Sequence, residues 1–348
     1  NFLITRDCYR NIFDRKLHQL LFCASFFTSS IVYTGAGKVG SENKQKRAAY
    51  QIAQRADFFE TLTGLQTTFN RPIVNSRDEA LCGGAYGGPG EMARLHVIFF
   101  DNTLCHVSSL LKVGVTQIVL TMIEQDCVAP KLILEDPVEA VVKWSHDPTL
   151  KARARCVSGA SYTAVELQLE FLERTRRFVE AGRADEFVPR ARELVAIWED
   201  TLLKLKEKDF QGLTSRLDWV LKHEILERAM SRYPELDWDA PQMKYLDLLY
   251  SSLDLEEGLY WPYERSGLVE RVVSDSEIDR FVREPPEDTR AWLRANILRH
   301  TEAGQGGEIH GMDWDSIRFR CRDPRQRSWT AYTYHTMRMP DPLRSTRQ

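Results

Sequence analysis

One stretch, residues 94–100 (Arg94-Leu95-His96-Val97-Ile98-Phe99-Phe100) running into residues 105–125, constrains this chain more than any other. In an extended strand, successive side chains point to opposite faces. Leu95, Val97 and Phe99 go to one face and suit a core. Arg94 and His96 go to the other, followed there by Ile98. A guanidinium and an imidazole on a largely apolar strand are costly to bury without partners. Asp101 and Asn102 end the strand. Beyond it Val107, Leu110, Leu111, Val115, Ile118, Val119, Met122 and Ile123 recur at helical spacing, so a deeply packed helix is expected. A polar strand end held by such a helix is the rigid support a site needs.

Upstream, residues 71–76 predict another strand, and Asn75-Ser76-Arg77-Asp78-Glu79 gathers polar and charged groups at its end. An arginine fork binds phosphate oxygens bidentately. A histidine or carboxylate beside it can hold a divalent metal. Together they suit phosphate chemistry on a nucleotide. The plainer reading is a surface salt bridge of Arg77 with Asp78 or Glu79 and a satisfied core histidine at His96, and residue types alone favour it. Residues 31–34 predict a β-branched strand leading into Gly35-Ala36-Gly37-Lys38-Val39-Gly40. That segment has neither Walker spacing nor the βαβ context of a dinucleotide loop. It reads as a tight turn lining a site, with Lys38 a candidate for phosphate contact. No GxSxG occurs, so no serine triad is inferred.

The chain has 348 residues, which suggests about two domains. Hydrophobic residues at 43% and charged ones at 28% place it among ordinary globular proteins. The formal net charge of −3 gives no bulk attraction to nucleic acid. The basic run Arg318, Arg320, Arg322, Arg325, Arg327 reads as a solvated tail. Cys8, Cys23, Cys82, Cys105, Cys127, Cys156 and Cys321 are scattered and form no CxxC pair. This argues against a disulfide framework or structural zinc and for a reducing, cytoplasmic setting. Residues 17–27 carry no cleavage signature, and residues 113–123 fall short of the ~20 apolar residues that span a bilayer, so no signal peptide or membrane segment is expected.

Residues 1–6 predict a strand, 14–29 an apolar helix, 41–47 a polar loop and 83–90 (GGAYGGPG) a flexible loop. Beyond residue 130 helices dominate, near 161–181, 188–208, 213–232 and 240–252, with Ser161 and Pro189 as starts for two of them. Two short helices follow at 275–284 and 286–300, the second opening on Pro286. Residues 313–320 and 328–337 predict closing strands. A boundary near residue 265 separates a small C-terminal module.

At these residues the chain resembles a known family. IVYTGAGKVG, RPIVNSRDE, RLHVIFFD and LKVGVTQIVLTMIE look like stretches of the Pup ligase and Pup deamidase/depupylase family, the proteasome accessory factor A family. LDWVLKHEIL, LDLLYSSLDLEEGLY and EPPEDTRAWLR continue the likeness in the same order. The resemblance implies an α+β fold related to glutamine synthetase and other carboxylate–amine ligases. That fold is a curved, mainly antiparallel sheet cradle backed by helices, here residues 1–265, plus a small C-terminal domain, 266–348. It implies ATP and magnesium as cofactors. It implies Pup, the small prokaryotic ubiquitin-like protein, and pupylated proteins as partners, with no nucleic acid and no membrane.

Residue by residue, Arg77, Asp78 and Glu79 match the family's Arg-Asp-Glu, and Arg94 and His96 its Arg-Leu-His strand. By that likeness Arg77, Arg94, Lys38 and Arg290 meet ATP phosphates, His96 and Glu79 bind the metal, and Asp78 and Asp101 line the site. Arg290 alternatively makes a helix-surface ion pair. Departures occur at Ala80-Leu81, where the family has Pro-His, and at Thr103 and His106, where it has Asn and Glu. They imply a divergent branch, altered contacts or reduced activity. The chain starts Asn1-Phe2-Leu3-Ile4 without Met, which reads as N-terminal truncation. The catalytic aspartate and metal-binding glutamates of the family are then expected upstream, no catalytic residue is assigned here, and the fragment alone is expected to be inactive.

Residues 64–68, 146–151 and 314–317 lean toward the deamidase/depupylase branch, and residues 111–114 and 218–222 toward the ligase. The expected function is therefore ATP-dependent deamidation of the Pup C-terminal glutamine and cleavage of Pup from conjugates. The alternative is a Pup–protein ligase joining the Pup C-terminal glutamate to lysines through a glutamyl phosphate. A second alternative, motivated by Leu81 and Thr103 at normally polar positions, is a non-catalytic Pup-binding homologue. A helical scaffold is disfavoured by the polar face of residues 94–100.

Overall fold

The computed structural model describes residues 1–78, 92–302, 308–322 and 332–339. The chain forms two compact units. The larger takes in Asn1–Phe2, Cys8–Arg77 and Leu95–Val272; the smaller takes in Leu3–Asp7, Asp78–Arg94 and Val273–Gln348.

Strand β1 (Phe2–Thr5) leads into α1 (Arg6–Arg10) and, after a further helical turn, α2 (Leu17–Thr34). The strand expected at residues 31–34 is instead the last turn of α2. Burial explains this. Ile31 and Val32 are enclosed, and packing outweighs β-branched propensity. The helix also satisfies its own hydroxyls: Ser25, Ser29, Ser30 and Thr34 donate to the carbonyls of Leu21, Ser25, Phe27 and Ser30 at 2.7–3.0 Å. It stops at Gly35, where a Cβ would lie 2.3 Å from the Ile52 carbonyl oxygen.

β2 (Lys38–Val39) pairs antiparallel with β3 (Tyr50–Gln51), and β4 (Phe59–Gly64) pairs parallel with β5 (Arg71–Asn75). β6 (Met92–Leu95) pairs with β1. The strand expected over residues 94–100 thus starts earlier and ends sooner. His96 still makes an antiparallel bridge to Asn75, but residues 97–99 leave the ladder. There Phe99 stacks on Phe27 and Phe59, with ring centroids 5.8 and 4.8 Å apart, and the Ile98 carbonyl accepts from Arg55. The alternation survives as far as His96: Ala93 and Leu95 are buried while Arg94 and His96 are half-buried. Val97, expected in the core, is also half-buried because the ladder has ended, and Phe99 is buried in the loop beyond.

α3 (His106–Glu124) follows as expected. It is long and apolar enough to cross a membrane, but 61% of its most apolar stretch is buried inside the protein, as in a core helix. α4 (Pro137–Ser145) opens on an Asp136 cap, and β7 (Ala154–Arg155) pairs with β8 (Ser161–Tyr162). Ser161 therefore lies in a strand; α5 (Ala164–Glu180) starts at Thr163, whose capping box with Glu166 satisfies two backbone donors. α6 (Ala191–Glu207) begins two residues past Pro189. The helix expected over 213–232 is broken into α7 (Phe210–Leu213) and α8 (Asp218–Arg232), and α9 (Pro241–Tyr250) and α10 (Trp261–Arg265) complete the larger unit. α2 is its axis, packed on α3, α4 and α5. Phe22 and Phe26 both meet Phe171 of α5, at 4.9 and 5.5 Å.

In the smaller unit, a Ser274–Glu277 capping box starts α11 (Asp275–Arg283). α12 (Arg290–Glu302) begins later than Pro286, which sits in the preceding turn and accepts from the Thr289 hydroxyl at 2.8 Å. β9 (Glu308–Met312), unexpected from its polar sequence, β10 (Ser316–Arg322) and β11 (Tyr332–Arg338) form an antiparallel sheet in the order β11-β10-β9. Residues 313–315 make the turn before β10 instead of starting it, with the Asp313 N–H donating to the Ser316 carbonyl. Among the described residues the strands form small sheets of two or three strands, with isolated bridges at Asn75–His96 and Leu134–Cys156, in a mixed helix-and-strand architecture.

Candidate functional site

The turn after α2, residues 35–40, is held from every side within the larger unit. Gly37 has φ +73°, a conformation costly for other residues, and a Cβ there would fall 1.9 Å from the Tyr50 hydroxyl. Asp101 accepts from the Ala36 and Gln54 N–H groups at 2.9 and 2.8 Å through Oδ2, while its buried Oδ1 has no hydrogen-bond partner. Lys222 of α8 donates to the Gly37 carbonyl at 2.8 Å and to Asp247 of α9 at 2.7 Å, and Asp247 accepts from the Val39 N–H at 2.9 Å. Beside the turn is a recess of about 380 Å³, lined in part by Lys38, Gln54, Lys244 and Asp247.

The expected site residues fall as follows. Lys38 lines that recess, ion-paired with Glu42 at 3.0 Å and set over the Phe58 ring. Asp101 is fully buried and ties the turn to residue 54. Arg77 and His96 converge on Asn75: the Arg77 N–H donates to the Asn75 side chain at 2.8 Å, and His96 bridges the Asn75 backbone. In the smaller unit, Asp78 pairs with Arg6, which also reaches the Met92 carbonyl two residues before Arg94. Arg290, in the same unit, donates to the Met339 carbonyl at 3.4 Å. Glu79 and Leu81 lie outside the described residues.

Burial raises the Asp101 carboxyl pKa above its ordinary value, and the Ala36 and Gln54 N–H groups pull it partway back. Asp101→Ala strands both donors and is expected to cost about 1–3 kcal/mol for each. Asp101→Asn keeps an acceptor and removes a buried charge, so urea unfolding should show a much smaller loss. Equal losses for the two variants would refute the role given to these bonds.

Sequence reasoning missed four charged groups, three buried and one, Asp247, half-buried. Asp218 accepts from the Leu104 and Cys105 N–H groups at the start of α3 and from the Tyr250 hydroxyl. Lys222 and Asp247 form the pair described above. Asp57 takes the His146 ring nitrogen at 2.6 Å, the Gln51 amide and the Glu42 N–H. A signal existed for two of them: Asp218 and Lys222 stand four apart on α8, among apolar residues that face the core. Burial pushes the Asp57 carboxyl up, but bonds from His146, Gln51 and Glu42 outweigh it and hold the pKa below its ordinary 3.8. A depressed carboxylate stabilises the fold above that ordinary value, and the gain is lost as pH falls through the lower folded value. Asp57→Asn should therefore flatten the acid limb of a stability–pH curve below about 3.8; an unchanged limb would rule this out.

The described fold is that of the Pup ligase structures. A crystal structure of the complex between Pup and its ligase PafA matches at a TM-score of 0.79 and 26% identity, covering 98% of this chain and 64% of PafA. PafA in complex with ADP matches equally, with 69% of that chain covered. The profile of the family described as Pup-ligase protein matches residues 1–318, and the chain belongs to that family. It is 37% identical over 324 residues to the depupylase of Acidothermus cellulolyticus, spanning 92% of this chain and 60% of the relative. It is 36% identical over 294 residues to the Pup deamidase/depupylase of Mycolicibacterium smegmatis, 84% and 56% of the two chains. It is 35% identical over 331 residues to the Pup–protein ligase of Sanguibacter keddieii, 92% and 70%. The chain thus spans a little under two thirds of the first two of these relatives.

Proposed function

We propose that this chain is the core of an ATP-dependent Pup deamidase/depupylase. Water adds to the carbonyl carbon of the Pup C-terminal glutamine amide, or of the isopeptide bond, and ammonia or the substrate lysine amine leaves. The observation that carries this reading is the 37% identity with a relative named depupylase across 92% of the chain. The proposal includes residues 1–265 as the carboxylate–amine ligase-like domain with its sheet cradle and residues 266–348 as the small C-terminal domain. A second reading, Pup–protein ligase, is favoured by the 35% identity with a relative of that name.

In both readings a nucleotide binds, as ADP does in the PafA structure. Bound ATP supplies a γ-phosphoryl group or an organising polyanion. Arg77, Arg94 and Arg290 offer guanidinium forks suited to phosphate oxygens. Lys38 stands on a rigid turn but must leave Glu42 to reach a phosphate. Asp78 lines the site, and Asp101 acts by fixing the turn. Magnesium, with His96 and Glu79 as ligands, belongs to the proposal. Among the described residues no three His, Cys, Asp or Glu side chains cluster to hold a metal, and Glu79 lies outside them, so no step is derived through the ion.

The test uses the full-length protein and supplies Pup ending in glutamine, and separately Pup ending in glutamate with an acceptor protein, each with ATP and magnesium. Ammonia release without conjugate is the expected result. Conjugate formation selects the ligase, and magnesium-dependent ATP binding without either product selects the non-catalytic homologue. Absence of ATP binding removes the enzyme readings. In the active protein, Arg94→Ala is expected to lower kcat/KM by about 100-fold or more; near-wild-type activity would remove Arg94 from the site.

A further inference from the structure

The arginine run at the C-terminal end is not a solvated tail at its start, because β10 places it on a sheet. In the register, Arg320 stands opposite Tyr334 and Arg322 opposite Tyr332. The Arg318 guanidinium lies 4.7 Å from the Tyr334 ring centroid and that of Arg320 lies 4.6 Å from Tyr332. The His310 ring of β9 packs on Tyr334 at 5.0 Å. One face of this sheet therefore interleaves guanidinium groups with flat rings. Both tyrosines remain 43–45% exposed, so other planar groups can reach them.

The charge around this face is as uneven. Residues 316–322 and 332–339 hold four arginines and no lysine, aspartate or glutamate, a balance of +4 in a chain whose total is −3. Glu308, bonded to Arg320 at 2.8 Å, offsets part of it. Such segregation is what a polyanion partner requires. Most of the face also lies past residue 318, where the family match ends.

We propose that this face binds single-stranded nucleic acid. An acidic peptide would satisfy the guanidiniums but leave the rings without a purpose. A single strand supplies phosphates to the arginines and base faces to Tyr332 and Tyr334. Arginine, planar and a fork-shaped donor, suits both contacts better than lysine. A duplex presents its bases edge-on and stacked, so the rings favour the unpaired form.

The test measures fluorescence anisotropy of a labelled oligothymidylate of about 16 nucleotides with the whole chain, against labelled polyglutamate and a duplex of similar length. Oligothymidylate should bind more tightly than either, with affinity falling steeply between about 50 and 200 mM salt. Arg318→Gln with Arg320→Gln should reduce the slope of log K against log salt by about 1.4. Tyr332→Ala or Tyr334→Ala should each weaken binding about tenfold, while the phenylalanine variants, which keep the ring and the sheet, should bind as the parent does. Failure of oligothymidylate to bind at low salt overturns the proposal. So does polyglutamate binding as tightly, or an alanine variant with unchanged affinity.

Discussion

Replacing Lys222 with methionine is expected to lower folding stability by about 3–5 kcal/mol. The ammonium is fully buried, bonded to Asp247 and to the Gly37 carbonyl, and set 4.9 Å from the Tyr250 ring centroid. Methionine fills similar space but leaves the Asp247 carboxylate without its cation and the Gly37 carbonyl without its donor. The Asp247 carboxylate, 13% exposed, keeps the Val39 N–H but loses its cation, and this is the larger part of the loss. The double variant Lys222→Met, Asp247→Asn should therefore be more stable than the Lys222→Met single variant, as thermal or urea unfolding can read. If the two single losses simply add, the residues are not coupled. A loss under about 1 kcal/mol would mean that the site relaxes around the change.

Asp218→Ala is expected to cost about 3 kcal/mol or more. It removes the acceptor from the Leu104 and Cys105 N–H groups and from the Tyr250 hydroxyl, all in the buried layer where α3 begins. Asp218→Asn keeps one acceptor oxygen and should lose much less. The pH dependence supplies an independent readout. Burial raises the Asp218 carboxyl above its ordinary 3.8, with the Leu104 and Cys105 N–H groups pulling it back. A raised carboxyl binds its proton more tightly when folded, so stability falls as pH rises from the ordinary value through the folded one. The asparagine variant should lose that slope in urea titrations; retention of the full slope would assign it to another group.

These two residues also show why the sequence was only partly legible. α3 was visible because its apolar residues keep one period, and the alternation of Leu95, Arg94 and His96 because a strand has no other choice of faces. Residues 31–34 misled because β-branched residues read as strand, whereas burial on all sides and hydroxyls bonded within the helix decide for helix. Thr163 rather than Ser161 capped α5, and the deciding partner was Glu166 three residues on. For the site, charge types and the family likeness pointed to Lys38 and Asp101 but not to what holds them. Lys222 touches a carbonyl 185 residues away, and Asp218 an amide 113 away. No local window contains such partners. Of the two partners expected for Arg77, Asp78 takes Arg6, 72 residues distant, and Glu79 lies outside the described residues.

Those separations bear on the order in which the chain can acquire its site. A ribosome delivers residues 35–40 long before α8 and α9 exist. Until residue 247 has emerged, the Val39 N–H and the Gly37 carbonyl lack their final partners, which lie 208 and 185 positions later. Contacts this distant form slowly and late. The glycine-rich turn should thus remain solvated while α2 and α3 already pack, and close only when nearly the whole larger unit has been made. A nascent chain halted before α8 would carry its aromatic core but not a set turn.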